Sequence, residues 1–365
     1  MSTWVTIITS IISTSGRLHS IHRTFITLIV LMPLCFLLSV ALGSVHIPVT
    51  EIFRSIADPN QEHLLQTQLI IIHIRLPRAL LAAIIGALLG MSGAAIQGLF
   101  RNPLADPSLI GITAGASAGG SVMILLGNST IIGIWGLSLV SLGAFIGGIT
   151  AVLLVYYLAN SATMSKTTSY TNSGLSVTTM LLAGIGISAL AGSITSIVEL
   201  TADNDMLRRI SLWRMGGLDG ANYARVIIVA VIAGAVLLLL PLHSNALNAL
   251  LLGESEARHL GIDLKHLKCA LILMVSAAVG TSVAMAGSIA FIGLVTPHIM
   301  RLLIGPNHRY LLPASALGGS ILLLFADTVA RTIIAPTELP TGIVTAIIGA
   351  PLFISLLRRY RYGYI

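Results

Sequence analysis

The residues of this chain that could do catalytic chemistry are a serine flanked by glycines and a histidine in an apolar segment. Residues 115–119 read GASAG and match G-x-S-x-G, the pattern of a serine nucleophile, with Ser117 as nucleophile and His298 as base. His298 could instead ligate a metal or haem iron, or hydrogen-bond to a carbonyl that Pro297 leaves free. Because the chain has 35 glycines, small-residue helix packing explains the match better than an intramembrane serine hydrolase does. We predict no catalytic residue and no metal site.

Energy for any transport would have to come from outside this sequence, because it has no G-x-x-x-x-G-K-[ST] phosphate loop with which to bind ATP. Charge is also nearly absent from the centres of the apolar runs, where one charged residue costs about 2.5–3.5 kcal/mol. Glu199, Asp327 and Glu338 lie near the ends of those runs, and this argues against a proton- or sodium-driven carrier. An ion-coupled secondary transporter stays as an alternative.

Two arginines held apart by a proline form a distinctive cationic motif. Residues 74–78 read IRLPR, so that Arg75 and Arg78 precede the second apolar run, and Arg331 ends the ninth. Arginine is well suited to bidentate pairing with carboxylates, which favours a docking site for an acidic partner. Snorkelling of arginine at helix ends explains the same positions, and the residues alone do not separate the two interpretations.

A charged segment at 253–268, GESEARHLGIDLKHLK, lies between two long apolar runs. Only 9% of the chain is charged, so this concentration predicts a water-facing helix on which a soluble partner docks. The charged side chains could serve only to solvate that helix. The apolar and small residues that could then make the docking contact are Leu252, Ala257, Leu260 and Gly261.

Composition places the chain among membrane proteins, because 55% of it is hydrophobic and its mean hydropathy is +0.95. A spanning helix needs about 20 apolar residues, and lipid leaves helices as the only way to satisfy their backbone groups. We therefore predict an all-α integral membrane protein, with 1–365 as a single transmembrane domain. The ten predicted spans cover about 24–43, 79–99, 109–127, 131–158, 178–198, 223–241, 267–287, 289–304, 311–333 and 341–357.

The lysines and arginines predict an orientation. With both termini in the cytoplasm, 12 of the 20 lie on the cytoplasmic side, together with the segment 253–268. The net charge of +7 has no span-free basic domain to carry it, so we predict no nucleic-acid partner. Cys35 and Cys269 lie in different apolar runs and indicate neither a disulfide framework nor a metal site.

Three long segments resemble the permeases of iron-chelate, haem and cobalamin importers, which are the membrane subunits of type II ABC importers. They are IRLPRALLAAIIGALLGMSGAAIQGLF and its continuation (74–119), LLGESEARHLGIDL (251–264), and the stretch from GSIAFIGLVTPHIMRLL to ISLLRR (287–359). The likeness runs from about 24 to 359. It is weakest over 44–73 and 159–175.

The resemblance implies a cobalamin-importer-permease-like bundle that forms a homodimer in the bacterial inner membrane. Two ATPase subunits, which hold ATP and Mg, would dock on the cytoplasmic side. A substrate-binding protein would dock on the periplasmic side, on Arg75, Arg78 and Arg331. The permease itself binds no cofactor. Residues 242–266 match the coupling helices, and Asn102, Leu104 and a turn at Val177-Thr178 match a cytoplasmic gate. The coupling residues implied are Leu252, Gly253, Glu254, Ala257, Arg258, Leu260 and Gly261.

The substrate class is narrowed by two further stretches. Residues 98–107 (GLFRNPLADP) and 202–216 look most like the haem-permease branch, so haem is favoured over a ferric siderophore or cobalamin. Such bulky cargo is expected to pass along the dimer axis between weakly binding walls. This expectation disfavours His298 as an essential ligand.

Overall fold

A computed structural model describes residues 2–45, 47–48, 50–51, 65–127, 134–164 and 177–361, and in them all regular structure is helical. Short 3-10 turns at Pro107–Ile110 and Leu240–His243 connect some of the helices, and a π-helical stretch, Ile70–Arg75, lies inside α2. The helices are α1 (Ser2–Ala41), α2 (Leu65–Leu99), α3 (Ile112–Leu126), α4 (Ile134–Met164), α5 (Val177–Thr201), α6 (Asn204–Met215), α7 (Tyr223–Leu239), α8 (Ser244–Leu252), α9 (Glu254–His259), α10 (Leu264–Ala286), α11 (Ile292–Ile304), α12 (His308–Thr332) and α13 (Thr341–Arg361).

The predicted spans correspond to apolar helices. Within the described residues, seven helical stretches are long and apolar enough to cross a membrane, and α3, α11 and α13 supply three shorter apolar ones. The all-α membrane fold is therefore confirmed. The helices extend beyond these spans in two places: α2 begins at Leu65, before the predicted start at 79, and α6 lies between the predicted spans 178–198 and 223–241.

Polar residues mark where the helices begin. Asp203, Asn222 and Asn307 each accept a hydrogen bond from a backbone N–H in the first turn of α6, α7 and α12. Such caps satisfy amide groups that have no partner within the helix. Proline residues inside α1, α11 and α13 do not end those helices.

The helix α2 lies at the centre of the bundle and packs most extensively against α12. Gly86 and Gly90, which form a G-x-x-x-G pattern in α2, make this contact. Gly86 packs against the Gly319 carbonyl, and Gly90 packs against the Ser315 carbonyl. A Cβ at either glycine would lie closer to those carbonyls than real Cβ atoms do. The small residues thus let two backbones approach directly, as in other membrane helix pairs.

The helices α3 and α4 meet in the same way. Gly115 and Gly119 of α3 lie against the carbonyls of Gly147 and Gly143 of α4. The two glycines of the G-x-S-x-G match are therefore packing residues, and Ser117 lies between them in the middle of a continuous helix. A hydrolase nucleophile needs a sharp strand-to-helix turn, so this geometry contradicts the enzymatic interpretation.

We predict opposite effects of alanine at two helical glycines. Gly119→Ala forces a Cβ into the Gly143 carbonyl and should lower the free energy of unfolding by about 1–3 kcal/mol. Gly234→Ala in α7 meets open space and should leave stability unchanged or raise it by up to about 1 kcal/mol. Thermal unfolding of the purified protein in detergent measures both. Equal effects at the two positions would contradict the packing account.

Candidate functional site

The charged segment 253–268 contains the short helix α9 and the start of α10 rather than one helix. The helix α8 ends at Leu252, α9 runs from Glu254 to His259, and the chain then turns into α10. The breaks occur at Gly253 and Gly261, which have φ angles of +124° and +81°. Because such angles favour glycine, these two residues separate α8, α9 and α10, and the predicted water-facing helix is the short α9.

The surface of this region, which we call the α8–α9 knob (residues 244–261), is apolar at its tip. Leu252 and Leu260 expose 69% and 64% of their surface, and Arg258 and Gly261 are exposed beside them. Ala257 is 0% exposed, so its predicted place in a docking contact is wrong and it packs inward instead. Two solvent-exposed leucines beside charged side chains form a surface that suits docking of a soluble protein.

A buried lysine anchors the knob to α10. Lys268 is 1% exposed, and its Nζ lies 2.8 Å from Oε1 of Glu254 in α9. A lysine ammonium withdrawn from water needs a partner, so Glu254 is a structural residue rather than a solvating one.

An aspartate caps the helix that follows the knob. Asp263 accepts hydrogen bonds from the backbone N–H groups of Lys265 and His266, 3.0 and 3.1 Å long. The bond from the His266 N–H, reinforced by the His266 side chain, holds the pKa of the Asp263 carboxyl below its usual range. This contribution to stability is complete above the ordinary aspartate pKa of about 3.9 and is lost as the pH falls through the lower folded-state pKa.

A second attachment joins the knob to the N-terminus of α12. Oδ1 of Asn248 in α8 accepts a 2.8 Å bond from the backbone N–H of His308 and lies 3.0 Å from its Nδ1. The Asn248 amide also donates to Oδ1 of Asn307. The His308 ring is buried against Gly98 of α2, where a Cβ would collide with it. The knob is thereby tied to α2, α10 and α12.

The predicted gate residues lie apart from the knob in sequence. Oδ1 of Asn102 accepts from the Leu104 backbone N–H over 2.9 Å, which closes a tight turn after α2. Val177 and Thr178, predicted as a turn, instead form the start of α5. The contact seen between the two regions is made further along both, where Gly184 packs against the Leu109 carbonyl. Gating by these residues stays a prediction.

At the other end of α2 and α12 lies a buried cluster of charges. Arg78 in α2 pairs with Asp327 in α12 at 3.0 Å and with Glu338 at 2.6 Å. Arg331 pairs with the same Asp327 at 3.1 Å and donates to Ser39 of α1 at 2.9 Å. Asp327 is 0% exposed, so two guanidiniums compensate its desolvation.

The third predicted docking arginine, Arg75, is also hydrogen-bonded to groups of the same chain. Arg75 donates to the backbone carbonyls of Val40, Ala41 and Val45, which ties the end of α1 to α2. Arg75, Arg78 and Arg331 are all buried, although they were predicted to pair with an acidic partner outside the chain. Their role in binding a partner stays a prediction that requires these bonds to be exchanged.

His298 lies in α11, buried beyond Pro297, and neither ring nitrogen has a hydrogen-bond partner among the described residues. The expected bond to a carbonyl freed by the proline is therefore not seen. Gln97 of α2 donates to the nearby Leu294 carbonyl at 3.2 Å. In the described part of the chain, no group of three or more His, Cys, Asp or Glu side chains is placed to hold a metal.

Comparison with known proteins gives consistent matches. Residues 29–359 match the model of the FecCD transport family. The hemin transport system permease protein HmuU of Yersinia pestis is 40% identical over 290 residues, which cover 80% of this chain and 83% of that protein. The cobalamin import system permease protein BtuC of Halobacterium salinarum is 40% identical over 294 residues, which cover 80% of this chain and 74% of that protein.

Solved structures share the fold. A metal-chelate type ABC transporter in an inward-facing conformation is 31% identical, with a TM-score of 0.78 over 93% of this chain and 99% of that chain. PsaBC from Streptococcus pneumoniae is similar in fold alone, at 14% identity and a TM-score of 0.53, over 84% of this chain and 94% of that chain.

We predict that Glu254→Gln destabilises the protein by about 1–3 kcal/mol, because it leaves the Lys268 ammonium buried without its carboxylate. Glu256→Gln, at an exposed position of the same helix, should change stability by less than about 0.5 kcal/mol. Adding Lys268→Met to Glu254→Gln should recover part of the loss. Thermal unfolding in detergent measures all three, and equal losses at Glu254 and Glu256 would contradict the anchoring role.

Proposed function

Because this chain belongs to the FecCD transport family, whose members are permeases of iron-chelate, haem and cobalamin ABC importers, we propose that it conducts haem across the membrane. The chain is the transmembrane subunit of a type II ABC importer and not itself an enzyme. Partner ATPase subunits, with their ATP, drive such a permease, and a binding protein delivers its cargo. The match to a hemin permease over four fifths of the chain supports the assignment to this class of permease.

Haem is favoured by residue stretches rather than by overall identity. The stretches 98–107 and 202–216 resemble the haem-permease branch, while a hemin and a cobalamin permease are each 40% identical to this chain. A ferric siderophore or cobalamin is therefore the alternative cargo within the family.

The mechanism we infer is alternating access driven from the α8–α9 knob. A homodimer of this chain lies in the bacterial inner membrane with both termini in the cytoplasm, and one ATPase subunit seats on each knob. Leu252 and Leu260 enter the ATPase surface, and Gly253, Arg258 and Gly261 shape the tip between them. Closure of the ATPase pair moves the knob, and its attachments carry the motion into the membrane helices.

Binding and release of cargo occur at the two ends of this pathway. A periplasmic protein delivers haem on the side of Arg75, Arg78 and Arg331. Asn102 and Leu104, with Val177 and Thr178 at the start of α5, border the cytoplasmic exit. The chain supplies packing and docking groups only, so the chemistry of ATP stays with the partner.

A substitution at the tip of the knob separates docking from solvation. Leu260→Glu should weaken association with the ATPase subunit at least about tenfold, because it places a charge in an apolar contact. Glu256→Gln, exposed on the same helix, should change association less than about twofold. Co-purification at graded concentrations measures both. Unchanged binding of Leu260→Glu would place the ATPase elsewhere.

The cargo is tested by ATP hydrolysis in the reconstituted complex with its own binding proteins. We expect haem-loaded binding protein to stimulate hydrolysis, while siderophore-loaded and cobalamin-loaded proteins leave the basal rate unchanged. If only the siderophore-loaded or only the cobalamin-loaded protein stimulated hydrolysis, the cargo would be that compound and not haem.

A further inference from the structure

Two neighbouring cavities open at the end of the bundle opposite the α8–α9 knob. They lie where α7 begins and α10 ends, whereas the knob follows the far end of α7 and precedes α10. The larger has a volume of about 700 Å³ and the smaller about 320 Å³. Both are within the size range of small-molecule sites, and of the functional residues proposed above only Arg78 lines one of them.

The larger cavity carries an excess of positive charge. Three arginines line it, Arg78, Arg209 and Arg225, against two carboxylates, Asp219 and Glu338. Arg78 is already paired with Glu338 and with Asp327 behind it. Two guanidiniums, Arg209 and Arg225, then face the single carboxylate of Asp219, and this leaves one positive charge for an anionic ligand.

The smaller cavity is a crevice with mostly apolar walls, which begins at the same arginine. Arg225 and Met285 line both cavities, and Arg225 is fixed there by donating to the Met285 carbonyl at 3.2 Å. Leu142 of α4 and Ile228 of α7 form walls of the crevice, and both are exposed on the outside of the bundle. Apolar side chains at this exposed edge match the hydrocarbon core of a bilayer.

A cationic pocket joined to a lipid-facing apolar crevice has the form of an amphiphile site. We propose that these cavities bind one glycerophospholipid, with its phosphate on Arg225 and Arg209 and an acyl chain between α4 and α7. Arginine forms strong charge-assisted hydrogen bonds with phosphate oxygens, and the crevice removes a chain from contact with the surrounding lipid. The larger cavity is also walled by Trp213, which suits the boundary between headgroups and hydrocarbon.

The bound lipid would join parts of the chain that otherwise meet weakly. Arg209 belongs to α6, which is not one of the apolar helices, whereas Arg225 lies in the first turn of α7. A phosphate shared by the two would hold α6 against α7 at the end where cargo enters. The lipid is then a structural ligand of this end of the permease, distinct from the transported cargo.

The test is thermal unfolding of the delipidated full-length protein in detergent, titrated separately with three probes. Phosphatidylglycerol should raise the unfolding midpoint in a saturable way, because it has both phosphate and acyl chains. Diacylglycerol lacks the phosphate and inorganic phosphate lacks the chains, so neither should reproduce the shift. Equal shifts with diacylglycerol or with inorganic phosphate would overturn the two-part site.

Matched variants locate the site. Arg225→Gln and Arg209→Gln should each weaken the apparent affinity for phosphatidylglycerol about tenfold, whereas Arg208→Gln, on α6 but outside the cavity lining, should not. Ile228→Trp should fill the crevice and weaken binding, unlike Ile227→Trp at the neighbouring lipid-facing position. Arg209 is exposed, so its variant keeps the test valid even if Arg225→Gln fails to fold. Unchanged affinity in Arg209→Gln and Ile228→Trp would refute the proposal.

Discussion

The close approach of α2 and α12 is the constraint on which the rest of the structure depends. Small residues at Gly86, Gly90, Ser315 and Gly319 bring the two backbones together in the middle of the bundle. The same helix pair carries the buried Arg78–Asp327 ion pair at one end and the contact of His308 with Gly98 at the other. Lipid gives apolar helices no hydrophobic reason to associate, so packing and polar contacts must hold such a pair. The pair therefore forms a stiff connection from one face of the membrane to the other.

This connection explains how a small surface segment can act on a large bundle. The α8–α9 knob exposes two leucines to a partner but is held from behind by Lys268, by Asn248 and by the buried Ala257. Lys268 belongs to α10, and Asn248 leads to α12, which is one of the central pair. A partner that moves the knob would therefore move α2, α10 and α12 with it, and the buried charges at the far end would have to rearrange or travel as a unit. Packed interfaces respond in this way because they are bistable rather than continuously deformable.

Much of this fold could be predicted from the sequence, because a lipid environment permits few choices. Apolar runs predicted the spans, the glycines of GASAG predicted a helix-packing contact, and charge predicted a water-facing helix in the knob. The two breaks in the knob depended on left-handed backbone at Gly253 and Gly261, and a run of charged letters hides that feature. Arg78 is buried because it pairs with Asp327, which is 249 positions away in the sequence. Arg331 donates a hydrogen bond to Ser39, which is still more distant in the sequence. Ala257 looked like a docking residue because its side chain is small, but helical phase turned it inward. Tertiary structure decides which distant residues pair and whether a given side chain points inward or outward. A local sequence pattern does not contain that information.

The most direct test is uptake of cargo into proteoliposomes that contain this chain with or without its partner ATPase. The account predicts accumulation only when the ATPase, ATP and loaded binding protein are all present, each on its own side of the membrane. Imposed proton and sodium gradients should have no effect on vesicles that contain this chain alone. Gradient-driven uptake by the chain alone would contradict the account, because it would show an energy source within a protein to which we assign only packing and docking roles.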